Sequence, residues 1–191
     1  MSPPAILDRP LSYTGALERR PLQQVDGVVV HCTELPDLTT ARAFGEERLY
    51  PLSGTGNSGH YYLDRDGRIE QWVSPDRVAH HCRGFNECSI GIELVNLGRY
   101  PRWLHSDQQL FDEPYPQVQI DRLIALLAWL ATTLPSVRWI AGHEDLDQEV
   151  VPASNQPEVR VRRKLDPGPL FPWRQVLAAT RLQRRDGLAK P

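Results

Sequence analysis

Asp26-Gly27-Val28-Val29-Val30-His31 places three β-branched residues directly behind a turn-forming pair. Branching at Cβ suits a pleated, buried strand better than a helix, so this run predicts a core strand that delivers a histidine at its carboxyl end. Val137-Arg138-Trp139-Ile140-Ala141, followed by Gly142 and His143, repeats the pattern more than a hundred residues later. Two histidines far apart in sequence are therefore expected to converge on one edge of a sheet.

Working outward, Ser89-Ile90-Gly91-Ile92-Glu93-Leu94-Val95 reads as a third buried strand. The segments 60–63 and 68–73 flank Asp64-Arg65-Asp66-Gly67, whose Asp-Gly pair can take positive φ, and so predict a hairpin. Residues 38–49 read as a helix capped by Thr39 or Thr40. The apolar positions Val118, Ile120, Leu123, Ile124, Leu127 and Leu130 give the clearest helical spacing, ended by Pro135. A last helix is expected from Pro172 to about Leu182. Strands alternating with helices point to the α/β class, a single domain with a mixed central β-sheet flanked by α-helices. Residues 1–24, rich in proline and without periodicity, read as an N-terminal arm, 25–182 as the domain and 183–191 as a flexible, charged tail. The polar stretch 147–163 reads as a surface excursion, a lid or a partner surface.

The chain has 191 residues and a formal net charge of -2, which suits one domain with a sizeable core and provides no basic field for nucleic acid. No apolar run is long enough to span a bilayer, so no integral membrane association is expected. Residues 1–10 lack a basic segment followed by an apolar one, which would place a complete chain in the cytoplasm. Cys32, Cys82 and Cys88 are too few for a disulfide scaffold and read as free thiols, although Cys82 and Cys88 could pair in an oxidising compartment.

Of six histidines, His31 and His143 stand out because both follow strand-like runs. Asp166 lies in the turn-forming segment Lys164-Leu165-Asp166-Pro167-Gly168-Pro169. Two imidazoles and one carboxylate would leave a tetrahedral zinc one open position; alternatively Asp166 only satisfies backbone donors in its turn. Glu93 is a carboxylate in an apolar strand, where burial raises the pKa and suits acid/base work, unless it is a strand-end surface residue. Lys164 could stabilise an oxyanion or simply belong to the basic cluster of Arg160, Arg162 and Arg163.

The motifs around these residues occur in a fixed order: Val30-His31-Cys32-Thr33, Gly59-His60-Tyr61-Tyr62-Leu63 with Arg65-Asp66-Gly67, His81 with Asn86 and Ser89-Ile90-Gly91-Ile92-Glu93-Leu94, Gly142-His143-Glu144-Asp145, and Lys164-Leu165-Asp166-Pro167-Gly168-Pro169. Over residues 25–177 the series resembles the zinc-dependent N-acetylmuramoyl-L-alanine amidases, which share a fold with peptidoglycan-recognition proteins. It is most similar to the branch acting on cytosolic anhydro-muropeptides, because an aspartate rather than a cysteine holds the third ligand position. The resemblance implies one catalytic zinc ion on His31, His143 and Asp166, and Glu93 as general base. It also implies that His60 and His81 contact the ligands or the substrate, where packing is the competing role. Arg83 and Asn86 could hydrogen-bond the stem peptide or the sugar of peptidoglycan or a muropeptide, and Trp72 could line the groove; structural roles are open for all three.

Two features depart from the family pattern. Gly59 stands where some phage members carry a catalytic tyrosine, and the stretch between His143 and Asp166 is longer than in compact members. Competing readings are a peptidoglycan-binding module without activity, a zinc hydrolase acting on another amide, and an interaction protein whose histidines are incidental. Retention of all three candidate ligands speaks against the binding module.

Overall fold

The computed structural model describes residues 4–187. Strand β2 (Gly27–Cys32) forms from the valine run and lies at the centre, entirely buried. β5 (Ser89–Leu94) pairs parallel to it on one side and β6 (Trp139–Gly142) on the other. β3 (Tyr61–Leu63) adds parallel to β5, and β4 (Ile69–Gln71) returns antiparallel as the expected hairpin. In its turn Gly67 adopts φ +84° and its N–H donates to the Asp64 carbonyl, a conformation that needs no Cβ. β1 (Ile6–Asp8) and β9 (Gln183–Arg184) complete a seven-stranded mixed sheet in the order β1-β4-β3-β5-β2-β6-β9.

One face of this sheet is covered by α2 (Gln117–Thr133) and α4 (Trp173–Ala179). Val28, Val30, Ile90, Ile92 and Leu94 meet Ile120, Leu123, Leu126, Leu127 and Leu130 there, joined by Val176. On the other face Val29 packs with Phe85, Trp139, Ala141 and Leu146, while Tyr62 packs with Leu38 and Ala41 of α1 (Leu38–Gly45) and with Trp72. The alternation of side chains along each strand therefore divides β2 and β5 between a dry core and a second, more polar face.

Several expectations are corrected. α1 ends at Gly45 and is capped by Asp37, whose Oδ1 accepts from the Thr40 N–H at 2.7 Å, rather than by a threonine. α4 is shorter than the helix expected to about Leu182, because the chain leaves at Ala179 to build β9. The excursion carries a two-stranded hairpin, β7 (Val150–Pro152) against β8 (Arg160–Arg162).

The segment read as an arm is part of the domain. Ile6–Asp8 pairs with Ile69–Gln71, and Leu11, Tyr13 and Leu17 are buried against Trp72. Short single-turn elements between prolines leave no period to read, which is why the segment looked unstructured. The tail is corrected likewise: Gln183 and Arg184 pair with Trp139 and Ile140, and Arg184 donates to both Asp145 oxygens at 3.0 and 3.1 Å; residues 188–191 lie outside the described ones.

Burial of the N-terminal segment has a measurable consequence. Leu11→Ala removes a side chain only 2% exposed and should lower the unfolding free energy by about 2–5 kcal/mol in urea titration; a free arm would leave it unchanged.

Candidate metal centre and cleft

Parallel register sets the site. Across the sheet Tyr62 is paired with Glu93, and Glu93 with His31. Val30 is paired with Gly142, so His143, the first residue of the short helix α3 (His143–Leu146), continues the row. All four residues line one open cleft of about 880 Å³.

His31 and His143 converge as expected, and Asp166 reaches them from the segment after β8. His31 Nδ1 lies 3.0 Å from His143 Nδ1 and 3.0 Å from Asp166 Oδ2, and His143 Nδ1 lies 3.2 Å from the same oxygen. Three buried lone-pair atoms point at one another, an arrangement that hydrogen bonds alone satisfy poorly and a shared cation resolves. Ligands at about 2.0–2.1 Å around a tetrahedral ion would stand about 3.3 Å apart, close to this triangle. Asp166 Oδ1 and His143 Nε2 have no hydrogen-bond partner among the described residues. The three residues could therefore hold a metal ion.

Glu93 is half-buried beside this triangle. Burial pushes its pKa up to about 7, with His31 and Lys164 opposing and Asp166 reinforcing the shift. Gly59 gives it room: a Cβ there would sit 2.8 Å from Glu93 Cγ. Lys164 lines the cleft as well. The backbone before it is tied down by Arg99, which forms a bidentate pair with Glu34 (Nε to Oε1 2.7 Å, Nη2 to Oε2 2.9 Å) and donates to the carbonyls of Arg162 and Arg163. Neither Arg99 nor Glu34 carries a local sequence signal; only their burial in the folded chain reveals the pair. Tyr62 was also missed, although the period of two from His60 could have placed it on the Glu93 face.

His81 lines the cleft and meets His31, Nδ1 to Nε2, at 3.1 Å. Arg83 lines it too and is paired with Glu149 at 2.6 Å, while Arg163 pairs with Asp147 and Glu149. The Arg83 pair docks the base of the excursion onto the 80–86 loop, and the Arg163 pairs close that base on itself. Of the residues in 147–163, Arg163 is the one that lines the cleft, so the hairpin flanks the site and does not cover it. Asn86 faces the cleft, but its Oδ1 already accepts from the N–H groups of His81 and Cys82 at 3.0 and 2.7 Å. The cysteines are all free thiols.

Two of the residues read as substrate contacts, with packing as the competing role, do not line the cleft. Trp72 is fully buried, stacked on Tyr62 at 3.4 Å and donating to Glu70, because it closes the core beneath the cleft. His60 is fully buried behind His81, its Nδ1 accepting from the Gly91 N–H at 3.0 Å. Its Nε2 faces Arg20 Nη2 at 2.8 Å, a guanidinium that also donates to the carbonyls of Pro75, Asn86 and Ser89. Arg20, in the segment read as an arm, thus braces the loop that carries His81.

The model of the N-acetylmuramoyl-L-alanine amidase family matches residues 21–169. The chain belongs to this family. It is 34% identical over 117 residues to the N-acetylmuramoyl-L-alanine amidase AmiD of Escherichia coli (strain K12), a match that covers 57% of this chain and 37% of AmiD. It is 30% identical over 120 residues to the 1,6-anhydro-N-acetylmuramyl-L-alanine amidase AmpD of Enterobacter cloacae, covering 58% of this chain and 50% of AmpD. The matches thus span half or less of these relatives. The structure of AmiD bound to anhydro-N-acetylmuramic acid-L-Ala-D-γ-Glu-L-Lys aligns with a TM-score of 0.61 at 25% identity, covering 82% of this chain and 57% of that one. The amidase LysC of Clostridium intestinale URNW shares the fold end to end, with a TM-score of 0.66 at 21% identity over 94% of this chain and 99% of LysC. No helix among the described residues is long and apolar enough to cross a membrane.

His60 makes the stability of this amidase-family domain depend on pH. Burial, reinforced by Arg20, holds its folded pKa well below 6.5. The unfolded chain takes up a proton near 6.5 that the folded one refuses, so stability falls as pH drops below that value, by up to about 1.4 kcal/mol per unit for one group. Urea unfolding at pH 7.5 and 5.5 should show the loss, and His60→Asn, which keeps an acceptor for the Gly91 N–H, should reduce it.

Proposed function

We propose that the chain is a zinc-dependent hydrolase of the amide between N-acetylmuramic acid and L-alanine in peptidoglycan or in muropeptides derived from it. The observation that supports this most directly is the His31, His143 and Asp166 triangle standing beside Glu93 at the floor of one open cleft. Family membership directs the generic chemistry of such a site to the muramoyl-alanine bond, and the ligand named in the AmiD structure makes an anhydro-muropeptide a fitting first substrate.

His31 and His143 through Nδ1, and Asp166 through Oδ2, are the atoms that would hold zinc. Bound there, zinc would supply Lewis acidity to the scissile carbonyl and to the attacking water. Glu93, with a pKa near neutrality, takes a proton from that water as its oxygen bonds to the lactyl carbonyl carbon. It returns the proton to the alanine nitrogen as the carbon–nitrogen bond breaks. Lys164 brings a positive charge to the side of the cleft where the carbonyl oxygen becomes anionic. Tyr62 OH accepts from the Gly59 N–H at 3.1 Å and so fixes the glycine against which Glu93 rests. His81 acts by holding His31, while Arg83 and the part of Asn86 left free by its loop bonds are the polar groups offered to substrate.

Release of stem peptide with a free L-alanine amino terminus, followed by mass spectrometry on intact peptidoglycan and on anhydro-muropeptides, tests the reading. His31→Ala should lose both zinc and cleavage. Glu93→Gln should keep stoichiometric zinc and lose about 10²–10⁴-fold in turnover. Wild-type protein that binds zinc and cleaves neither substrate would overturn the amidase assignment.

A further inference from the structure

We infer that Ser89 and His81 form a hydrogen-bonded relay that sets the tautomer of His31, leaving its Nδ1 as the bare ligand atom. The inference rests on the reading of His31 as a zinc ligand.

The relay has one consistent polarity, read from its far end. The carbonyl oxygen of Phe85 can only accept, and Ser89 Oγ lies 2.6 Å from it, so the single hydroxyl proton of Ser89 points there. Toward His81 Nε2, at 3.4 Å, Ser89 Oγ can then only accept, and the His81 proton sits on Nε2. No carboxylate lies within hydrogen-bonding distance of His81 among the described residues, so nothing holds a second proton on the ring. His81 Nδ1 therefore carries a lone pair and accepts from His31 Nε2 at 3.1 Å. With its proton on Nε2, His31 presents an unprotonated Nδ1 to His143 and Asp166. Outer partners of this kind orient a ligand ring and fix its tautomer, here through a serine that touches neither metal nor substrate.

The surroundings hold the relay in place. A Cβ on Gly91 would lie 2.5 Å from His81 Cγ, so the ring seats directly on the backbone of β5. Asn86 Oδ1 grips the N–H groups of His81 and Cys82, and Arg20 Nη1 grips the carbonyls of Asn86 and Ser89. Ser89, Gly91 and Glu93 alternate along one face of β5: the first anchors His81, the second makes room for it, and the third faces the cleft.

The test is zinc affinity of the full chain by competition with a chelator, with nitrogen-15 spectra of its histidines in the zinc-loaded state. Wild type should show His81 protonated on Nε2 and bare on Nδ1. Ser89→Ala frees His81 to place its proton on Nδ1 and should weaken zinc binding about 10–100-fold, with the unfolding temperature of the zinc-free protein close to wild type. His81→Phe should weaken binding at least as much, and His81→Asn, which keeps an acceptor at the Nδ1 position, should restore most of the loss. A His81 proton on Nδ1 in wild type, unchanged affinity in Ser89→Ala, or equal loss of affinity and zinc-free stability in both Ser89→Ala and His81→Asn would overturn the relay. Failure of wild type to bind zinc at all would instead remove the metal reading beneath it.

Discussion

Parallel pairing of β2 with β5, in the register that sets His31 against Glu93, is the constraint from which the site follows. Side chains alternate across a sheet, so a slip of β2 by one residue would send His31 into the dry core and bring Val30 to the cleft beside Glu93. That slip would bury an imidazole without a partner, and would expose β-branched surface. The apolar faces of β2 and β5, packed under α2, thereby enforce the position of the polar atoms on the other side.

A second layer of fixed polar contacts turns this row into a precise site. Arg99 joins Glu34, just beyond β2, to the backbone that leads into Lys164 and Asp166. Arg20 does the same for the loop that carries His81, using carbonyl oxygens in place of a carboxylate. Both guanidinium groups are buried and spend several of their donors on main-chain oxygen, so each would cost several kcal/mol if left unpaired. Rigid supports of this kind suit a buried cluster, able to hold a metal ion, whose three ligand-type atoms stand about 3 Å apart.

The site is correspondingly asymmetric. Its floor is buried and preformed, whereas its rim carries Arg83, Arg163 and the hairpin of the excursion, held by ion pairs that are partly exposed. Contacts of that class contribute little to stability individually, so the flank of the cleft is the part of the domain where sequence can change at small cost to the fold.

The sequence alone determined the central strands and the candidate residues they carry. The valine run, the Asp-Gly turn and the spacing of α2 are local signals, and they placed β2, the β3–β4 hairpin and the longest helix close to where the structure has them. His31, His143, Asp166 and Glu93 were legible because each is a polar residue at the end of, or inside, an apolar or turn-forming segment, and because the order of motifs resembles one family. The tertiary structure decided everything that depends on partners distant in sequence. It folded the segment before Val25 into the sheet, since a three-residue strand has no period to read. It withdrew Trp72 and His60 from the cleft, since the type of an aromatic or imidazole side chain does not tell which face of a layer it serves. It also showed Arg20 and Arg99 as supports, because hydrogen bonds to carbonyls 55 to 69 residues away leave no mark in local sequence.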